Sequence, residues 1–430
     1  MQYGTTKRCL AAVTAMVLVL VFLAIRFDSV SAGTTLRMLI PANTTWESFH
    51  QKIIRRFEAE HPGTKVEMQA VPFAEFFRTI STSVAGGNPP DVIWADGPEV
   101  KHLAYHGIIV PLEGWIFTKE ELADFLPQSL EEGSYNGKVY AVSNQQSSSA
   151  MFYNKDIMAA AGIVPPTTLD NAWTWPETLN VLKKVTQVSP QGTVSIWGYV
   201  VRTIGQVYET LCFLRSNAEP GSKTFMALSP DGKTVDGYLN SPEAIEATQF
   251  WQDLYVKHKV TPVENIPLAF ESGHAAIYIR PENLIPILET EYPNLKWGVT
   301  PFPYFKTPIS HTGSFMYTVT KQSKNKDLAG ELVRLLTSPD TAARWFETCK
   351  QLPSRKSLYN QIDVYRTSPE RRIFYETLVR WGHPRPQTPA FREYNEILGK
   401  AFADIAKGAP VKKTLDDAVR QIDRQLARYQ

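Results

Sequence analysis

From Leu36 onward, apolar runs of strand length alternate with stretches of helical period, and this alternation restricts the chain to layered α/β architecture. Leu36 to Ile40 reads as a short strand, followed by the polar loop Pro41 to Thr45. Trp46, Phe49, Ile53, Ile54 and Phe57 then recur at the helical period over 46–60, and His61-Pro62-Gly63 ends that helix. Lys65 to Val71 returns to a strand, and a second helix begins near Phe73. The pattern continues with a strand at 91–94 after the turn 86–90, a helix over 98–106, and a strand at 139–142 after the turn Tyr135 to Lys138. Further helices are predicted over 176–187, 205–216, 242–258, 326–337 and 339–348, and 369–430 is nearly all helical in period. Short strands and helices alternating without a clean break predict two α/β lobes whose chain crosses between them more than once.

A length of 430 residues exceeds one ordinary core, in line with two lobes. Residues 1–32 are set apart. Lys7 and Arg8 precede an apolar run from Leu10 to Ile25, and Val30-Ser31-Ala32 offers small residues before Gly33. That is the order of a secretory signal peptide, and the run falls short of the roughly 20 residues a spanning helix needs. Cleavage after Ala32 and periplasmic secretion are expected, with an uncleaved signal-anchor as the rival. Removing 1–32 takes away Lys7, Arg8, Arg26 and Asp28, which turns 45 basic and 43 acidic residues into 42 of each. In a formally neutral chain without a basic, aromatic-interleaved patch, nothing suggests a polyanion partner, and no nucleic acid is expected. Cys212 and Cys349 are expected as two buried free thiols, although an oxidising compartment would permit a disulfide.

Catalytic signatures are missing. There is no HExxH, GxSxG or Walker loop, and no GxGxxG follows a strand. His102 and His106 stand four apart on a predicted helix, but no third ligand is visible, and a solvated helix face reads better than a metal site. The pairs Glu120-Glu121 and Glu131-Glu132 read as surface, since adjacent side chains point different ways. No cofactor is expected. Asn144 to Ser149 is an amide- and hydroxyl-rich stretch directly after a strand. Amides offer a donor and an acceptor without a charge to desolvate, which suits sugar hydroxyls, and it suits a plain polar loop equally.

Several motifs, taken in order, carry a resemblance. GGNPPDVIWADGPEVKHLAYHGIIVPLEGW (86–115) and YNGKVYAVSNQQSSSAMFYNKDIMAAAGIVPP (135–166) are followed by TWPETL (174–179) and FESGHAAIYI (270–279). WGVTPFP (297–303), GSFMYTVTKQSKNKDLAGELVRLLTSPD (313–340) and LPSR (352–355) complete the set. Their order and spacing across nearly the whole mature chain resemble the family 1 extracellular solute-binding proteins of ABC importers, the maltose-binding-protein-like group. The resemblance implies an α/β, two-lobed periplasmic-binding-protein fold with a hinge between lobes, a carbohydrate-like ligand in the cleft, delivery to membrane permease subunits, no catalysis, and a monomer. It implies lobe one at 34–142 plus 304–350 and lobe two at 147–300 plus 355–430. The hinge falls at Val142 to Gln146 and near Thr300 to Pro303.

Cleft positions carry over one at a time. The loop after the first strand offers Asn43 and Thr44. The loop after the Pro-Asp strand offers Trp94 and Asp96, with Asp96 as hydroxyl acceptor. The first crossing offers Gln145 and Ser147, the second lobe Arg202, Gln206 and Tyr208, and the loop after the second crossing Gly313, Ser314 and Phe315. Trp94 and Tyr208 are as readily core as ligand platform, and Asp96 is also placed to cap the next helix. One departure stands out. Many sugar-binding members carry Gly-Pro-Trp after the 270–279 segment, with the Trp stacked on ligand, whereas this chain has Arg280-Pro281-Glu282-Asn283. Arg280 therefore opens the expectation of an anionic ligand beside that of a neutral sugar, unless Glu282 or another carboxylate pairs with it. A secreted carbohydrate-active hydrolase, and a sugar-binding sensor uncoupled from transport, remain the alternative functions.

Overall fold

The computed structural model describes residues 33–429, so the signal segment expected at 1–32 lies outside the described residues. Among the described residues no helix is long and apolar enough to cross a membrane.

The first lobe is built on a four-stranded sheet. β1 (Thr34–Pro41) is followed by α1 (Thr44–Glu60), β2 (Thr64–Val71), α2 (Phe73–Ala85), β3 (Val92–Asp96) and α3 (Glu99–Tyr105). β1 lies between β2 and β3, parallel to both, with Met38 opposite Met68 on one side and Val92 on the other. The helix period read from the sequence is the packing face of α1, where Phe49, Ile53, Ile54 and Phe57 are buried against the sheet. After α4 (Pro127–Glu132) the chain leaves this lobe through β4 (Gln145–Gln146).

The second lobe carries a five-stranded sheet. β5 (Ser149–Asn154), β6 (Gln187–Val188), β7 (Val194–Val200), β8 (Ala275–Pro281) and β9 (Trp297–Thr300) assemble in the order β9-β5-β8-β7-β6. Between β7 and β8 stands α5 (Val207–Ser216), and α6 (Leu284–Glu291) follows β8. β10 (Ser310–Thr312) then leads to β11 (Phe315–Val319), which returns to the first sheet antiparallel to β3, with Tyr317 opposite Trp94. Later, β12 (Leu352–Pro353) pairs with β4 at the crossing, and α7 (Pro369–Trp381), β13 (Gly382–Pro384) and α8 (Phe391–Ala406) pack on the second lobe.

Two boundaries differ from the sequence reading. Phe302 and Ile309 are buried in the second lobe's core with Phe305 packed against it, and Tyr304 O accepts from Trp175 N. The stretch 304–312, expected in the first lobe, therefore sits on the second, and the chain re-enters the first sheet only after Gly313. The expected helical run over 369–430 is also broken, because Gly382 to Ala390 forms β13 and a loop. Pro384, Pro386 and Pro389 explain it, since each removes a backbone donor and disfavours helix at the residue before it. Cys212 and Cys349 are free and buried, as read from sequence.

Candidate binding cleft

In both lobes the carboxyl ends of parallel strands face one another, the place where open α/β sheets expose loops and helix starts to a ligand. On the first side β3 ends in Asp96, and the first turns of α2 present Phe73 and Phe77. On the second side the loop after β7 brings Arg202 and Gln206, α5 brings Tyr208, and α8 brings Phe391 and Arg392. These groups enclose a cavity of about 630 Å³, within the size range of small-molecule sites.

An ion pair spans the cleft. Arg385, on the Pro-rich loop, donates from Nη2 to Asp96 Oδ1 at 2.7 Å and from Nη1 to Asp96 Oδ2 at 3.0 Å. Its guanidinium also lies 5.5 Å from the rings of both Tyr208 and Phe391. Burial disfavours the Arg385 charge, but the Asp96 carboxylate outweighs it and raises the guanidinium's pKa above its ordinary value. Elsewhere the lobes touch at His102 Nδ1, 3.0 Å from Pro389 O, and at Gln128 Nε2, which donates to Leu378 O at 2.7 Å.

Behind the ion pair is a polar floor. Glu132, fully buried at the end of α4, has Oε1 3.9 Å from Arg385 Nη2. Its Oε2 accepts from Gln146 Nε2 at 3.2 Å and from Ser314 Oγ at 3.1 Å. Gly97 makes this approach possible, because a Cβ there would stand 3.1–3.3 Å from the Glu132 carboxyl atoms. Gln146 Oε1 accepts from Gly313 N at 3.1 Å, and Ser147 Oγ donates to Gly313 O at 2.9 Å while lying 2.9 Å from Tyr208 OH. Both crossings are thus tied to the floor of the cavity.

Burial, with the Asp96 charge adding and Arg385 opposing, raises the Glu132 carboxyl to about 7. Burial first, and then Asp96, raises Glu99 to about 8. A carboxyl raised above its unfolded value of about 4.3 stabilises the fold fully below that value and loses the contribution as pH rises through the folded value. Glu132→Gln keeps the neutral shape. Its melting temperature relative to wild type is therefore expected to rise from pH 5 to about pH 7 and to level off by pH 8. A difference that stays constant over that range would show that Glu132 does not titrate in this window.

Of the thirteen residues predicted from sequence, Asp96, Arg202, Gln206 and Tyr208 line the cavity. Ser147, Gly313 and Ser314 form the floor beneath it. Gln145 is buried at the crossing, paired through its backbone with Pro353. Arg280 lines a second hollow that adjoins the cavity at Arg202. The other four need correction. Asn43 is exposed and caps α1, its Oδ1 accepting from Trp46 N at 3.1 Å, and Thr44 is the exposed first residue of that helix; neither lines the cavity. Trp94 is fully buried, stacked 5.5 Å from Tyr317 and edge-on to Trp46 and Trp345, so it is core. Phe315 is half-buried behind Phe73, 6.0 Å away. Asp96 spends its carboxylate on Arg385.

Sequence reading missed Phe73, Phe77, Glu132, Arg385, Phe391 and Arg392. For Arg385 a signal existed: a basic residue between prolines, inside an otherwise helical stretch, marks a rigid loop that the helix pattern cannot absorb. Glu132 reads as surface in the sequence because its partners come from residues 146, 314 and 385, which no local pattern connects to it.

Residues 52–372 match the model of a family described as bacterial extracellular solute-binding protein. A putative binding protein of Brucella abortus is 24% identical over 409 residues, covering 92% of this chain and 94% of its own length. The galactooligosaccharide-binding protein of Bacillus subtilis is 22% identical over 380 residues, covering 87% and 85%. Among solved structures, an ABC substrate-binding protein of Listeria monocytogenes in complex with cycloalternan superposes with a TM-score of 0.77 at 21% identity, covering 92% of this chain and 98% of its own. That likeness shows the two-lobed fold.

Proposed function

The chain belongs to the bacterial extracellular solute-binding protein family, and from that premise we propose that it captures a saccharide between its lobes and delivers it to the membrane permease of an ABC importer. The carrying observation is the cavity itself. Aromatic rings stand on both walls, Phe73 and Phe77 from one lobe, Tyr208 and Phe391 from the other, over a floor of amide and hydroxyl groups. Aromatic faces suit the C–H faces of sugar rings, and paired donors and acceptors suit hydroxyls. The printed names of the relatives support the substrate class: one binds galactooligosaccharides, and the Listeria protein was solved with cycloalternan.

The reading takes the protein as secreted and monomeric, with the crossings at Gln145 to Ser147 and Gly313 to Ser314 as the hinge. Lobe one is then about 34–142 with 315–350, and lobe two about 147–312 with 355–429. It assigns no reaction. A glycosidase needs two carboxyls free to act on one bond, whereas of the acids lining the cavity Asp96 is held by Arg385 and Glu396 by Arg392, which leaves Glu99 alone, and Glu132 lies fully buried beneath them. In an oligosaccharide screen, at least one compound is expected to raise the melting temperature in proportion to the logarithm of its concentration, because it binds the folded state alone. That compound should be recovered intact. A screen without any shift, or with cleaved sugar, would defeat the reading.

A further inference from the structure

On the saccharide-binding reading, a bound ligand meets a second compartment beside the main cavity. We propose that the ligand is an acidic saccharide, and that the hollow built on Arg202 and Arg280 receives its carboxylate, sulfate or phosphate group. β7 and β8 are parallel neighbours with Tyr199 beside Ile277 and Val200 beside Tyr278. Two residues further along each strand direction, Arg202 and Arg280 emerge at the same level, at the carboxyl ends that face the cleft. They line a hollow of about 500 Å³. Arg202 also lines the main cavity, so the two compartments adjoin at its side chain.

Neither guanidinium forms an ion pair among the described residues. The cross-cleft carboxylate Asp96 is taken by Arg385, and the neighbouring Glu282 turns its Oε1 to Leu352 N at 2.9 Å. Arg280 Nη1 donates to Tyr278 OH at 2.9 Å, while its Nε is buried without a hydrogen-bond partner. The acids in range are few. Glu209 faces both arginines from α5, and burial, against their pull, raises its carboxyl to about 7. Glu271 and Glu291 lie on the walls of the hollow outside ion-pair distance of either guanidinium. A buried donor left unmet costs free energy, and a planar guanidinium offers a fork matched to carboxylate, sulfate or phosphate oxygens. The rim is apolar, with Ile266, Leu268 and Ile287 exposed. That combination fits a sugar ring carrying an acidic substituent, with the ring against the rim and the acid on the arginines.

The test is calorimetric titration with matched pairs: neutral oligosaccharides, and the same compounds carrying a uronate, sulfate or phosphate. Sodium phosphate alone forms a third arm. For the pair that binds, the acidic member is expected to bind at least about tenfold tighter. Arg280→Gln and Arg202→Gln should each bring that ratio close to one. If Arg280→Gln fails to fold, the exposed Arg202 carries the test. Equal affinity for both members, or a preference that survives the substitutions, overturns the proposal while leaving saccharide binding intact. Phosphate alone binding as tightly as the acidic sugar overturns the assignment to a saccharide. Failure of every saccharide, neutral and acidic, defeats the underlying reading and this proposal with it.

Discussion

Arg385→Ala is expected to weaken saccharide binding by at least about a hundredfold. Arg385 makes two hydrogen bonds to Asp96 across the cleft, and its side chain is only 11% exposed. Removing one member of a buried pair costs about 3–5 kcal/mol, because the other charge stays desolvated. Here the Asp96 carboxylate would be stranded, while Glu132, 3.9 Å from Nη2 and already raised to about 7 against the pull of Arg385, would take a proton. The lobes have a way out that a rigid core lacks. Opening the cleft returns Asp96 to water, so the cost should be met by loss of the closed arrangement more than by unfolding. About 3 kcal/mol drawn from closure corresponds to more than a hundredfold in affinity. Arg385→Ala combined with Asp96→Asn should recover part of the loss, since the stranded charge is then gone. The measurements are calorimetric affinity and small-angle scattering, with a larger radius of gyration expected for the single variant in the presence of ligand. Affinity within about threefold of wild type would show that the ion pair does not hold the closed state.

Trp94→Ala should cost about 3–5 kcal/mol of folding stability, the usual range for deleting a large buried aromatic side chain. The ring fills the space between Tyr317, Trp46 and Trp345. Its Nε1 is buried and has no hydrogen-bond partner among the described residues, so Trp94→Phe removes an unmet donor along with part of the ring. Denaturant unfolding should therefore find Trp94→Phe much less destabilised than Trp94→Ala, with saccharide affinity unchanged in the Phe variant. A large affinity loss at normal stability would restore Trp94 to the role of ligand platform.

The contrast between Trp94 and Arg385 shows what the sequence carries. Strand and helix alternation is local, and most of the predicted helices appear in the structure to within a few residues: the face predicted for 46–60 is the one buried in α1, although the strand predicted at 139–142 shrinks to Lys138–Val139 and the helical run predicted over 369–430 is broken at 382–390. The resemblance to solute-binding proteins likewise rests on runs of contiguous residues, and the family match agrees with it. The cleft is non-local. Whether a tryptophan two residues from Asp96 on the same strand faces ligand or core depends on β11, more than 200 residues later, closing over it. Arg385 reaches Asp96 across 289 positions of sequence. Asn43 was misplaced for a related reason. A loop asparagine before a helix satisfies either a ligand or the helix's own first amides, and here it does the latter.

The most direct test of the account is the electron density of the protein crystallised with the saccharide that the screen identifies. The sugar is expected between the lobes, its ring faces against Phe73 or Phe77 on one wall and Tyr208 or Phe391 on the other, with Asp96 and Arg385 still paired beside it. Sugar bound outside this cleft, or a cleft that closes around no saccharide at all, would contradict it.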